Sequence, residues 1–76
     1  MVIGSCQLDL HIPCSHSLKD KRQVIKQIIK LVKNRYNVSI SEIDNIDLWQ
    51  RALLGFVTIS NEKAVVESIL QKVRQF

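Results

Sequence analysis

The apolar residues of this chain switch between two periods, and the order of the switches restricts the fold more than any single motif does. From residue 2 to 12 they alternate. Val2, Gly4, Cys6, Leu8, Leu10 and Ile12 fall on one side, with Ser5, Gln7, Asp9 and His11 on the other. A period of two marks a half-buried strand, and Pro13 ends it. Ser17 then opens a helical pattern in which Leu18, Val24, Ile25, Ile28, Leu31 and Val32 recur, with Ser17 at the N-cap and Asp20 at N3. Asn34 and Asn37 bracket its stop, each suited to the left-handed backbone of a helix end. Residues 38–41 alternate again, and residues 44–47 read as a turn. Residues 48–60 form a third strand that is apolar on both faces. Ala52, Leu54 and Phe56 lie on one, Leu53, Val57 and Ile59 on the other, as expected of a central strand. Ser60 or Asn61 caps a last helix whose core side is Val65, Val66, Ile69, Leu70 and Val73.

Strand–helix–strand–strand–helix is an α+β order. Two strands joined by a helix run parallel, and the two-faced third strand fits between them. The expectation is a ferredoxin-like βαββα sandwich: a three-stranded sheet in the order 1-3-2, both helices on one face, and no fourth strand. Seventy-six residues allow a single domain, 1–76. Strand 1 would be an open edge, and Ile3, Leu53, Val57 and Ile59 would form an apolar patch on the uncovered face. An open edge beside such a patch predicts a homodimer.

An apolar fraction of 46% argues against disorder. No apolar run approaches the roughly 18 residues of a membrane span, and the first residues lack the basic start and apolar core of a signal peptide. The expected setting is cytoplasmic, without a membrane partner. Cys6 and Cys14 lie near opposite ends of an extended segment about 26 Å long, far beyond the ~7 Å reach of a disulfide. They read as free thiols.

The net charge of +4 is concentrated. Residues 1–37 carry seven basic and two acidic groups, residues 38–60 have a net charge of −2, and the remainder comes to +1. On a helical wheel Lys19, Arg22, Lys26, Lys30 and Lys33 fall within about 80° of one another and extend along about 20 Å of helix. No acid lies in the stripe to neutralise it. Lys19, Lys21 and Arg22 also crowd the first turn, where cations oppose the helix dipole. With the hydroxyls of Ser15 and Ser17 nearby, that turn resembles a site awaiting a phosphate. Lys19, Lys21, Arg22, Lys26, Lys30 and Lys33 are therefore the candidate nucleic-acid contacts, most naturally to RNA. The competing reading is a solvated face that keeps a small apolar protein in solution. There are no interleaved aromatics for stacking bases and no GxxG loop.

Other constellations carry less. His11, Cys14 and His16 match no standard zinc spacing and lack a fourth ligand. Glu42, Asp44 and Asp47 fit no EF-hand. No metal and no cofactor is expected. Asp9, His11, Trp49 and Arg51 are all odd-numbered and would share the face away from the helices as a polar cluster. Asp with His could exchange protons and Arg could hold an anion. No nucleophile or phosphate loop accompanies them, no small-molecule substrate is indicated, and the chain reads as non-catalytic.

Three segments together resemble the YlxP-like family of small bacterial proteins of unknown function. They are Leu8-Asp9-Leu10-His11-Ile12-Pro13, then Ser17-Leu18-Lys19-Asp20-Lys21-Arg22, then Asp47-Leu48-Trp49-Gln50-Arg51-Ala52 followed by Leu54-Gly55. The resemblance covers nearly the whole chain. It implies a ferredoxin-like fold in the bacterial cytosol, and it supplies no catalytic residues. Genes of this family often lie among those for transcription elongation, translation initiation and ribosome maturation, which implies an RNA or ribosomal-subunit partner. Family members typically continue with a fourth strand. Two functions therefore stand side by side: an RNA- or ribosome-associated binding protein using the basic helix, and a homo-oligomeric interaction module using the open sheet face and edge strand.

Overall fold

Alternation carries β1 from Val2 to His11, and the burial of its side chains alternates in step. The computed structural model describes residues 1–75. After β1 come α1 (Leu18–Arg35), β2 (Ser39–Asp44), β3 (Arg51–Ser60) and α2 (Lys63–Arg74). The sheet order is β1-β3-β2, with β3 antiparallel to both neighbours. β1 and β2 therefore run parallel on either side of β3, as the periodicity predicts. The arrangement is α+β and ferredoxin-like.

The core lies on one face of the sheet. Ala52, Leu54 and Phe56 of β3 are buried there with Ile40 of β2, Ile25 and Val32 of α1, and Val66 and Val73 of α2. Thr58 completes the inward row and donates its hydroxyl to the Asn37 carbonyl at 2.8 Å, which ties β3 to the segment leaving α1. Every inward residue of β1 is only half-buried, as an edge strand allows.

Several boundaries and faces differ from the sequence reading. β3 is buried on one face only. Its outward Val57 and Ile59 are exposed, and Leu53 and Gly55 are half-buried. β2 begins one residue later than expected and runs on to Asp44 through a register shift between Glu42 and Asp44. That shift marks a bulge, which leaves Ile43 as the extra residue. Its side chain lies over Gly55 on the open face. The left-handed residue is Asn45, with φ of 61°, and neither Asn34 nor Asn37 has positive φ. The helix end is closed instead by extended backbone at Tyr36, whose N–H donates to the Val32 carbonyl. α2 begins from Glu62, not Ser60 or Asn61. Ser60 contributes by accepting the Glu62 N–H. The buried line of α1 is Lys21, Ile25 and Val32, flanked by half-buried Ile28 and Ile29. Val24 and Leu31, expected inside, are exposed.

Gly4 fixes how closely α2 lies on β1. A Cβ there would stand 2.5 Å from Val66 Cγ1 and 2.8 Å from Leu70 Cδ1, inside any tolerable contact. Gly4→Ala should therefore destabilise the domain by about 1–3 kcal/mol through overpacking, measured as a lower urea midpoint. Gly55→Ala should cost clearly less, because the exposed Ile43 it would meet at 3.0 Å can move aside.

Candidate functional site

The six candidate cations of α1 divide into two groups. Lys19, Arg22, Lys26, Lys30 and Lys33 are all exposed, and among the described residues none of them forms an ion pair. Their spacing of three, four, four and three residues keeps them on one side of the helix. The helix itself is firmly placed: Ser17 Oγ accepts the Asp20 N–H, and Ile25 and Val32 are buried beneath it.

Lys21 does not belong to this surface. It is 1% exposed. Its ammonium donates to the carbonyls of Asn45 (2.5 Å) and Ile46 (3.3 Å) and lies 2.7 Å from Glu42 Oε2. The Glu42 contact is an ion pair without hydrogen-bond geometry, so charge compensates the oxygen more than a directed bond does. The reason lies in the two periods. Lys21 stands four residues before Ile25 on the buried line of α1, and Glu42 stands two after Ile40 on the inward side of β2. A lysine and a glutamate thus meet at two core positions. Opposite charges at positions of core period were the signal available in the sequence. Lys21 is accordingly removed from the candidate contacts, leaving five.

The first turn of α1 is also not a waiting phosphate site. The Ser17 hydroxyl caps the helix, and the Ser15 hydroxyl is buried and donates to the Ser17 carbonyl. The Asp20 carboxylate accepts the His16 N–H and brings negative charge to the positive end of the helix. The capping partner is His16 instead of the Ser17 N–H of a regular capping box.

Asp9, His11 and Arg51 do come together, around a shallow depression of about 370 Å³ on the open sheet face. Arg51 Nη2 donates to Asp9 Oδ2 at 2.8 Å, with both side chains more than half exposed. The Asp9 carboxylate is thereby directed to Arg51, and no hydrogen bond joins it to His11. Trp49 is not part of the cluster. The β1–β3 ladder stops at the His11–Arg51 pair, so strand alternation does not reach Trp49, which is 54% exposed in the bend before β3. Among the described residues no three His, Cys, Asp or Glu side chains converge to hold a metal. Cys6 and Cys14 are free thiols. No described helix is long and apolar enough to cross a membrane.

The segments at residues 8–13, 17–22 and 47–52 are bonded to one another or to their immediate neighbours at one end of the molecule. Gln50 Nε2 donates to the carbonyls of Pro13 and Ser15, and the Gln50 carbonyl accepts the Ile12 N–H at 2.7 Å. Arg51 holds Asp9, and Lys21 holds the turn that leads into Asp47. Much of what is distinctive in these segments is therefore a set of ties between loops.

A family model described as "Protein of unknown function (DUF503)" matches residues 3–76. Among curated proteins, the "Uncharacterized protein YlxP" of Bacillus subtilis (strain 168) is 41% identical over 75 residues, taking in 99% of this chain and 82% of that protein.

Lys21→Met keeps the packing of the aliphatic stem and removes the ammonium. It leaves Glu42 and two carbonyls without their partner and should destabilise the domain by about 3 kcal/mol in urea denaturation. Lys26→Met, on the exposed side, should change stability by no more than about 0.5 kcal/mol. Equal effects at the two sites would contradict the assignment of Lys21 to the core.

Proposed function

The chain belongs to the DUF503 family, whose function is unknown, so its activity has to be read from its own surface, and we propose that it binds RNA through the exposed cations of α1. One observation carries this reading: Lys19, Arg22, Lys26, Lys30 and Lys33 are all exposed on one side of a fixed helix with no carboxylate paired to them among the described residues. Unpaired cations in a row suit a phosphate backbone, which rewards each contact by releasing a counterion. Phosphate contacts position a protein without reading sequence, which fits a partner such as the RNA of a ribosomal subunit. The protein acts in this reading as a binder and not as an enzyme, since the Asp9–His11–Arg51 depression offers an exposed ion pair and no nucleophile.

Co-sedimentation with ribosomal subunits over a salt series tests it. Binding should fall steeply, with log K dropping by roughly 0.9 per phosphate neutralised for each unit of log salt. Lys26→Glu with Lys30→Glu should abolish the pelleting while leaving the circular dichroism of the fold intact. Unchanged pelleting of that double variant would refute the reading.

A second reading, self-association into a homodimer, rests on a different surface. Ile3 pairs with Ile59 and Ser5 with Val57 across the open face, and Ile3, Val57 and Ile59 are all exposed. Beside them β1 is regular over ten residues and has no second neighbour among the described strands. It carries no Lys, Pro or bulge to discourage pairing. Sedimentation equilibrium at tens of micromolar should give a dimer, and Ile59→Lys should return it to monomer. A strictly monomeric wild-type chain would exclude this second reading.

A further inference from the structure

We infer that the α1 surface takes double-stranded RNA in preference to a single strand; this rests on the RNA-binding reading and names the form of RNA it selects. Single strands are held where aromatic rings follow one another along a basic groove, each stacking a base. Among the described residues this surface has no such series. Phe56 is buried beneath the helices, and Tyr36 closes the C-terminal end of α1, half-buried. Trp49 is exposed in the bend before β3, away from α1 in sequence and without a second indole or phenyl ring beside it in that bend. The outward residues of β1 and β3, including Ser5, Gln7, Leu53 and Val57, contain no Phe, Tyr or Trp, and His11 at the end of β1 is their one ring, so the sheet offers no series of stacking rings either.

What the surface does offer is rigidity. The five cations ride on one helix fixed by its Ser17 cap, by buried Ile25 and Val32, and by the Lys21 tie to the β2–β3 turn. A fixed row of charges gains most from a partner whose phosphates are already in place, because nothing has to be ordered on binding. A double helix meets that condition and a flexible strand does not.

The neighbours of the cations indicate RNA over DNA. Gln23 and Gln27 stand with Lys26 and Lys30 around a shallow depression of about 410 Å³ on the outer side of α1. Neither glutamine side chain forms a hydrogen bond among the described residues, and both are exposed. A carboxamide both donates and accepts, as does a ribose 2′-hydroxyl. A-form RNA displays those hydroxyls along its wide, shallow minor groove, beside the phosphates that Lys26 and Lys30 would hold. Lysine for phosphate next to glutamine for hydroxyl is the pairing this groove asks for.

Fluorescence anisotropy with four probes tests the inference: an RNA duplex of about 16 base pairs, the DNA duplex of the same sequence, and each unstructured RNA strand alone. The RNA duplex should bind roughly tenfold or more tightly than either strand, and several-fold more tightly than the DNA duplex. Gln23→Ala with Gln27→Ala should reduce the gap between RNA and DNA duplexes to about twofold or less. A single strand bound as tightly as the duplex would overturn the inference and leave the RNA-binding reading standing. RNA and DNA duplexes bound equally by the wild type would overturn the role given to the glutamines. No binding to any of the probes would overturn both this inference and the RNA-binding reading on which it rests.

Discussion

Lys21 is the residue on which the arrangement of this small domain turns. Taking an ammonium out of water costs several kcal/mol unless charge and hydrogen bonds replace the lost solvation. Here Glu42 supplies the charge and the carbonyls of Asn45 and Ile46 supply the acceptors. All three come from β2 and the turn that follows it, so α1 has one position over the sheet at which its lysine is compensated. Sliding the helix by a turn, about 5.4 Å, would part the ammonium from all three partners. In a core with eight buried apolar residues among those described, packing alone specifies such a register weakly. The polar contact supplies what the apolar ones leave open.

The same contact divides the six candidate cations of α1, Lys19, Lys21, Arg22, Lys26, Lys30 and Lys33. One is drawn inward, and five are left outward with no acid to meet them among the described residues. Gln50 makes a comparable tie, holding the loop from Pro13 to Ser15 by two carbonyls. The loop before α1 and the turn after β2 are thus each held by a long polar side chain. A surface built on α1 inherits that rigidity without contributing to it.

Strand order, helix placement and the inward face of β3 were all legible from hydrophobic period, because each depends on many residues agreeing. The misplacements fall where a single residue decides. The bulge at Ile43 lengthens β2 and moves the turn, and nothing in the alternation of residues 38–41 announces it. The outer face of β3 looked buried because Val57 and Ile59 are apolar, yet apolar side chains can occupy an uncovered face as well. Parity alone puts Trp49 on the face of Arg51, but parity holds only while the ladder continues. Lys21 and Glu42 were read by charge when their spacing to Ile25 and Ile40 was the better guide.

The bulge has a further consequence, for growth. A sheet extends without limit only when both its edges accept strands. Here β2 is six residues long, broken in register and acidic at its bulge, whereas β1 is ten residues long and regular. If two copies pair β1 to β1, only the two β2 edges are left outside. An assembly paired in that way would close at two copies, with the short, bulged β2 strands as its outer edges.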